Sequence, residues 1–195
     1  MRTFVILGHD APTTADFALD DLPGAGRLDI LCRCLGTAFL RSHGIRTDVR
    51  VFLVLGDSFT LRFEGETLQR LNPDERSTGA LIRNALDQRE EAIGRIPVET
   101  SPGVFLVRGG FSELLADVEG TLIQLHEEGT PVVDVGPPED PVFVLSDHQE
   151  FWESETAALA DMATAKVSLG PEALHADQAI TVAHNWLDTA GFTRY

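Results

Sequence analysis

The stretch FVLSDHQEF, residues 143–151, is an apolar run that ends in Ser146, Asp147 and His148. Serine, aspartate and histidine form hydrolytic triads, but adjacent side chains on an extended chain point apart and cannot converge on one reacting atom. The stretch also lacks the G-x-S-x-G pattern of a nucleophile elbow. We therefore interpret it as the end of a buried strand, followed by a loop that can hold a ligand.

The same alternation of apolar strands and amphipathic helices runs along the whole chain. Strands are predicted at 3–8, 49–57, 103–110, 141–146 and 165–170, with a hairpin at 58–68 and helices at 26–44, 72–93, 111–129, 150–163 and 171–190. Such a pattern predicts one α/β domain over residues 1–195, with a mostly parallel sheet covered by helices on both faces. Ligands of such sheets bind beyond the carboxyl ends of the strands.

The charge of the chain is strongly acidic and almost free of lysine. Thirty-one acidic residues face fifteen basic ones, and Lys166 is the only lysine, which gives a net charge of −16. This composition favours adaptation to a high-salt cytoplasm, where carboxylates keep the surface hydrated and salt screens their repulsion. An ordinary acidic protein is the plainer alternative.

The charge is also unevenly distributed. Residues 1–108 carry thirteen arginines and fifteen carboxylates, whereas residues 109–195 carry two basic residues and sixteen carboxylates. If the protein binds an anionic polymer, the first half supplies the surface. No apolar run is long enough to cross a bilayer and no signal peptide is apparent, so a cytoplasmic protein is expected.

Other common sites find little support. The six histidines and the pair Cys32 and Cys34 show no metal-binding spacing, so no metal is expected. The glycines at 24–26 do not follow a strand, which argues against a dinucleotide fingerprint.

Two features rise above this background. The strand ends FVLSDH and VSLGP expose backbone groups that can bind an adenine or a ribose. Arginines also concentrate around residues 62–83, where Asp74 and Arg76 share one predicted helical turn. One interpretation of the segment around residues 62–83 is structural: a helix start with Asn72 as cap, and ion pairs on the surface. The other interpretation is functional: guanidinium groups bind phosphate beside a carboxylate that accepts a proton.

Four segments together resemble one family. RLDILCRCLGTAF, LNPDERSTGALIRNAL, FVLSDHQEF and KVSLGPEALHADQAI are similar to the archaeal TrmY proteins, tRNA pseudouridine N1-methyltransferases of the SPOUT superfamily. The resemblance implies a C-terminal deep trefoil knot, a homodimer, S-adenosylmethionine bound in the knot, and pseudouridine 54 of the tRNA T loop as substrate. Residues 1–108 would then face RNA, and residues 109–195 would form the cofactor-binding knot half.

The resemblance also assigns the cofactor-binding residues. The family usually has glycine where Ser146 stands and commonly has cysteine where Ala179 stands, so these two positions depart from its pattern. The predicted set lies on two strand ends, on the last helix and on a helix predicted to carry Leu125: Leu125, Leu145, Ser146, Asp147, His148, Val167, Ser168, Leu169, Gly170, Leu174 and Ala179.

The N1 nitrogen of pseudouridine must lose its proton, so the reaction needs a base or a cation that stabilises the ring anion. Asp57 or Asp74 is predicted as proton acceptor or base-orienting group, with Arg62 and Arg76 contacting phosphate or a ring oxygen. The predicted RNA-binding residues are Arg33, Arg62, Arg70, Arg76 and Arg83. A methyltransferase acting on another RNA, such as rRNA pseudouridine, and a knotted RNA-binding protein without catalysis are the alternatives.

Overall fold

The computed structural model describes all 195 residues and contains eight strands and five α-helices. The strands are β1 (Arg2–Gly8), β2 (Val49–Leu55), β3 (Phe59–Glu64), β4 (Val98–Ser101), β5 (Val104–Arg108), β6 (Thr121–Pro131), β7 (Pro141–Ser146) and β8 (Ala165–Ser168). The helices are α1 (Leu28–Phe39), α2 (Glu75–Asp87), α3 (Phe111–Asp117), α4 (Glu153–Met162) and α5 (Ala176–Asp188). No helix is both long enough and apolar enough to cross a membrane.

All eight strands form one sheet in the order β4-β5-β3-β2-β1-β7-β6-β8. The pairings β2-β1, β1-β7, β7-β6 and β6-β8 are parallel, and the three pairings among β4, β5, β3 and β2 are antiparallel. The mainly parallel α/β sheet is therefore confirmed. The carboxyl ends of β1, β7, β6 and β8 meet at one edge, because parallel strands run in the same direction.

Alternation along the strands gives the sheet two buried faces. Phe4 and Ile6 of β1 pack on the side of α1, α2 and α5, whereas Val5 and Leu7 pack on the side of α3 and α4. The first core contains 37 buried residues and the second contains 11. The face that carries α5 therefore holds most of the apolar burial that stabilises the domain.

The predicted helix over residues 111–129 is wrong in its second half. Helix α3 ends at Asp117, and strand β6 begins at Thr121. Gly120 separates them with φ +133°, and a Cβ at this position would lie 2.5 Å from the carbonyl oxygen of Asp140. Leu125 consequently lies on a strand and not on the helix predicted to carry it.

Two helix starts also differ from the prediction. Asp74, not Asn72, caps α2, because its Oδ1 accepts a hydrogen bond of 2.7 Å from the Ser77 backbone N–H. The last helix begins at Ala176 and not at Pro171, so residues 169–175 form a loop after β8. The short strand β4 was not predicted.

Strand β6 contacts β8 twice. Leu125 and Thr130 both pair with Val167, so residues 126–129 bulge out of the ladder. Gly129 lies in this bulge, and a Cβ there would lie 2.4 Å from the backbone carbon of Val167. The returning chain therefore passes against the backbone of β8 with no room for a side chain.

Candidate active site

A cavity of about 160 Å³ lies at the carboxyl ends of β6, β7 and β8, beside the start of α5. Eight of the eleven residues predicted from the resemblance to bind the cofactor line it. They come from three strand ends, the loop after β8 and α5: Leu125, Leu145, Ser146, Asp147, Ser168, Leu169, Leu174 and Ala179. Segments more than forty residues apart in the chain therefore form one cavity, because the parallel strands end at the same edge.

The other three predicted residues lie next to the cavity without lining it. Val167 is fully buried and pairs with β6 beneath the cavity. Gly170 supplies the carbonyl oxygen that accepts a 2.7 Å hydrogen bond from the Ser168 hydroxyl. The Nδ1 of His148 lies 3.6 Å from Oδ1 of the lining residue Asp147, but His148 does not itself line the cavity.

The chemistry of the lining is apolar and acidic. Four leucines and a phenylalanine supply the apolar surface, and Glu127, Asp147, Glu150 and Glu172 supply carboxylates. No arginine or lysine lines the cavity. Such a lining suits a ligand that has an apolar or aromatic part and a positive charge, and it disfavours phosphates.

Two serine hydroxyls shape the strand-end loops. The Ser146 Oγ donates a hydrogen bond to the Gln149 carbonyl oxygen, and the Ser168 Oγ bonds the loop after β8. These bonds turn the chain back at the point where each strand stops. The backbone groups around Leu145 and Leu169 consequently remain available to the cavity.

A buried ionic group lies directly behind the cavity. The Nδ1 of His9, the residue after β1, lies 3.1 Å from Asp147, and its Nε2 lies 3.0 Å from Glu155 of α4. The Trp152 ring packs on the imidazole with a centroid distance of 4.6 Å. Burial lowers the pKa of His9, but the hydrogen bonds and charges of Asp147 and Glu155 outweigh it and raise the pKa to about 9.

A second ionic group, formed by Asp29, Arg27 and Arg33, lies at α1, close to two segments that line the cavity. Asp29 is buried, accepts two hydrogen bonds from Arg27 at 3.0 and 3.1 Å, and accepts one from Arg33 at 2.9 Å. Burial raises the pKa of Asp29, but the two guanidinium groups lower it below its usual value. Arg33 also lies 4.0 Å from Asp177, which follows the lining residue Ala176.

The backbone beside Arg27 also contacts a segment that leads to the cavity. A Cβ on the preceding residue, Gly26, would lie 1.8 Å from the carbonyl oxygen of Asp10, so the two backbones touch. Asp10 accepts a 2.6 Å hydrogen bond from the side chain of the lining residue Gln149. Arg27 and Arg33 therefore flank the cavity and present guanidinium groups beside its acidic lining.

The four residues predicted for catalysis do not line the cavity and are not brought together. Asp57 lies in the β2–β3 turn, where its Oδ1 accepts a 2.7 Å hydrogen bond from the first N–H of α3. Asp74 caps α2, and the hydrogen bonds from Ser77 lower its pKa, which makes it a weaker base. Arg76 is exposed on the first turn of α2.

The predicted RNA-binding arginines are also spread over the surface. Arg62 lies over the Phe105 ring in a separate cavity of about 220 Å³, which Arg50, Arg95 and Arg108 also line. Arg70 is exposed in the loop before α2, and Arg83 lies half-buried on that helix. Of the predicted set, Arg33 alone contacts a segment that borders the acidic cavity.

Sequence reasoning missed His9, Arg27 and Asp29. A signal for His9 was present, because His9 and Asp10 directly follow the apolar strand at 3–8 and such a strand end belongs to the ligand-binding edge of a parallel sheet. Arg27 and Asp29 gave no comparable signal, since their place beside the cavity depends on contacts between segments far apart in the chain, such as that of Gly26 with Asp10. The side chains of Gln149, Phe151 and Glu172 were also missed, although each lies within three residues of a predicted cofactor-binding residue.

The protein is thus an α/β protein with an acidic, partly apolar cavity at the carboxyl ends of its parallel strands, and Arg27 and Arg33 lie near that cavity. The chain belongs to the family described as "Putative SAM-dependent RNA methyltransferase", which matches residues 1–192. No group of three or more His, Cys, Asp or Glu residues is placed to hold a metal ion.

Curated relatives match this chain over nearly all of both sequences. A tRNA (pseudouridine(54)-N(1))-methyltransferase of Haloarcula marismortui is 68% identical over all of both chains. A protein of the same name from Methanosarcina mazei is 45% identical over 97% of this chain and 92% of its own. Among solved structures, Archaeoglobus fulgidus Nep1 bound to S-adenosylhomocysteine has a TM-score of 0.61 at 16% identity, covering 92% of this chain and 93% of its own, and shares the fold.

Proposed function

We propose that this protein is an S-adenosylmethionine-dependent methyltransferase that forms N1-methylpseudouridine at position 54 of tRNA. The observation that carries the proposal is the cavity at the strand ends, whose leucines and carboxylates match a cationic nucleoside ligand. Full-length relatives at 68% and 45% identity bear the name of this activity. The two matches cover 100% and 97% of this chain.

The residues present fit S-adenosylmethionine. Leu125, Leu145 and Leu169 offer an apolar surface for an adenine ring, and the backbone at the ends of β7 and β8 offers hydrogen-bonding groups. The carboxylates of Glu127, Glu150 and Glu172 lie on the same lining and favour an ammonium and a sulfonium charge. When bound, S-adenosylmethionine supplies an electrophilic methyl group.

Arg27 and Arg33 are the groups that we assign to the RNA. Asp29 holds both guanidinium groups beside the cavity, so a phosphate that they bind would bring the adjoining base to the cavity mouth. Holding the pyrimidine N1 in line with the methyl group would supply much of the rate acceleration. The assignment of Asp57 or Asp74 as acceptor of the N1 proton stays a prediction, and alanine at each position tests it.

The proposal extends to topology, assembly and cellular setting. A trefoil knot in residues 109–195 is supported by the close passage of Gly129 over the backbone of β8. A homodimer is supported by Val133 and Leu174, apolar side chains that are 74% and 39% exposed on segments flanking the strand-end cavity. The charge of −16 with a single lysine supports function in a high-salt cytoplasm.

The test is methyl transfer in molar potassium chloride to two tRNA transcripts that differ only at position 54, one with pseudouridine and one with uridine. Mass spectrometry of the digested nucleosides should show N1-methylpseudouridine from the first transcript and no methylated product at that site from the second. Methylation of rRNA but of neither tRNA transcript would show that rRNA, and not tRNA, is the substrate. Absence of S-adenosylmethionine binding in calorimetry would favour an RNA-binding protein without catalysis.

A further inference from the structure

We propose that His9 is a positioning residue for the cofactor cavity. As an imidazolium it joins Asp147 and Glu155, and so holds the intervening chain in the conformation that lines the cavity. We call His9, Asp147 and Glu155 the His9 clasp. The proposal rests on the proposed function, because it takes the strand-end cavity as the cofactor site.

The His9 clasp connects three elements. His9 follows β1, Asp147 follows β7, and Glu155 lies in the first turn of α4. The side chains of His9 and Asp147 are each 1% exposed and that of Glu155 is 8% exposed, so water does not compete for these hydrogen bonds. The Trp152 ring covers the imidazole on the outer side.

With both carboxylates ionised, the geometry requires a doubly protonated ring. Nδ1 faces one carboxylate at 3.1 Å and Nε2 faces another at 3.0 Å, and an ionised carboxylate can only accept hydrogen bonds. A neutral imidazole has one N–H and would leave one buried carboxylate facing a lone pair. The arrangement is therefore complete only when His9 carries a positive charge.

Both carboxylates also fix the backbone of the segment between them. Asp147 accepts hydrogen bonds of 2.9 Å from the backbone N–H groups of His9 and Gln149. Glu155 accepts one of 2.7 Å from the Trp152 N–H. The chain between these anchors includes Gln149, Glu150 and Phe151, which line the cavity. The His9 clasp therefore holds this lining segment at both ends.

The protonation state of His9 ties the cavity to pH. The folded state raises the pKa of His9 from 6.5 to about 9, so the protonated clasp stabilises the fold fully below about 6.5 and loses this contribution as pH rises through about 9. The groups facing His9 are Asp147 and, through it, His148, together with Glu155 from α4 and Asp57 from the β2–β3 turn. Cofactor affinity should fall over the same alkaline range.

The experiment measures binding of S-adenosylhomocysteine by calorimetry from pH 7 to 10, in wild type, His9→Gln, Glu155→Gln and His43→Gln. His43 is exposed, lies outside the His9 clasp and serves as the matched histidine control. His9→Gln should raise Kd about tenfold at neutral pH, since a neutral side chain leaves a buried carboxylate poorly paired. His43→Gln should match wild type at every pH.

Glu155→Gln separates positioning from general loss of structure. The Trp152 N–H and the His9 Nε2 both lie on Oε2 of Glu155, so a glutamine oxygen at that position can accept from both groups while the charge of Glu155 is removed. We therefore expect binding to be retained at neutral pH and the alkaline weakening to begin at lower pH than in wild type, because one of the two carboxylates that raise the pKa of His9 is gone. This shifted profile keeps the test decisive even if His9→Gln does not fold.

The outcomes distinguish the two proposals. If wild type and Glu155→Gln bind S-adenosylhomocysteine with the same dependence on alkaline pH, the His9 clasp does not determine the affinity. Unchanged affinity of a folded His9→Gln leads to the same conclusion. A wild-type protein that binds no S-adenosylhomocysteine at any pH overturns the proposed function and, with it, this role for His9.

Discussion

At the scale of single residues, Ser146 shows how a departure from a family pattern is accommodated. The resemblance predicts glycine at this position, which raises the question whether the backbone needs a conformation that serine avoids. Ser146 is not among the residues with positive φ, so its backbone is unstrained. Its hydroxyl instead bonds the Gln149 carbonyl and tightens the loop at the cavity.

Replacing Ser146 with alanine should therefore weaken the cofactor loop modestly. Loss of one hydrogen bond costs about 1 kcal/mol, or about fivefold in affinity if the loop is ordered only in the bound state. Calorimetry with S-adenosylmethionine measures the change, and Ser112→Ala on the exposed surface of α3 is the control. Equal affinities in both variants would show that the hydroxyl has no part in binding.

The arginines flanking the cavity give a second residue-scale prediction. Arg27→Gln and Arg33→Gln should each raise the Kd for tRNA several-fold and reduce its dependence on salt, because each removes a phosphate contact. Affinity for S-adenosylmethionine should not change. Arg41, exposed beyond the opposite end of α1, is the matched control, and filter binding over a series of salt concentrations is the measurement. A tRNA affinity that falls equally in Arg41→Gln would remove the assignment.

At the scale of elements, the bulge of β6 against β8 should be intolerant of any side chain. A Cβ at Gly129 would overlap the backbone of Val167, whereas one at Gly136 would meet nothing within 4 Å. Gly129→Ala should cost roughly 1–3 kcal/mol of unfolding free energy, the usual range for overpacking, and Gly136→Ala should be nearly neutral. Urea unfolding of both variants measures the difference.

Element-scale features also explain which parts of the sequence prediction succeeded. Buried strands read as apolar runs bounded by turn residues, so β1, β2, β5, β7 and β8 were predictable, as were the cavity-lining ends of β7 and β8. The 111–129 segment failed because LIQL carries apolar residues that fit both a helix and a buried strand, and Gly120 alone marks the change. Strand β4 failed because its residues are only half-buried or exposed and leave no apolar pattern.

Long-range ion pairs were beyond prediction for a different reason. His9 and Glu155 are separated by 146 residues, and only the sheet order places β1 beside β7 and α4 above them. The same holds for Arg33 and Asp177. Sequence reasoning located the cofactor-lining strand ends, whereas the charged groups that flank them depend on tertiary packing.

At the scale of the whole molecule, two buried histidines with opposite pKa shifts should limit stability from both sides. Burial, with Arg46 and Arg2, lowers the pKa of His184 to about 4, while the pKa of His9 is raised to about 9. Between about pH 6.5 and pH 4, His184 is protonated in the unfolded state but neutral in the folded state. The free energy of unfolding should therefore fall as pH drops below about 6.5. Stability should fall again as His9 loses its proton.

The expected loss on each side is on the order of 3 kcal/mol, since one pKa unit corresponds to about 1.4 kcal/mol. Urea unfolding near pH 4, 6.5 and 10 should give the highest free energy at the middle value. His184→Gln should flatten the acid limb and leave the alkaline limb unchanged. A stability maximum above pH 9 would contradict the assignment of His9 as a buried cation.

The acidic lining of the cavity has a consequence for turnover. Methyl transfer converts a sulfonium into an uncharged thioether, so the spent nucleoside has one positive charge fewer than the molecule that entered. Asp147 is paired with His9, but Glu127, Glu150 and Glu172 also lie on a lining that contains no arginine or lysine, so the lining should hold the methyl donor more firmly than its product. The cavity would thus favour release after each cycle and resist inhibition by accumulated product, and neutralising Glu172 should narrow the gap between the two affinities.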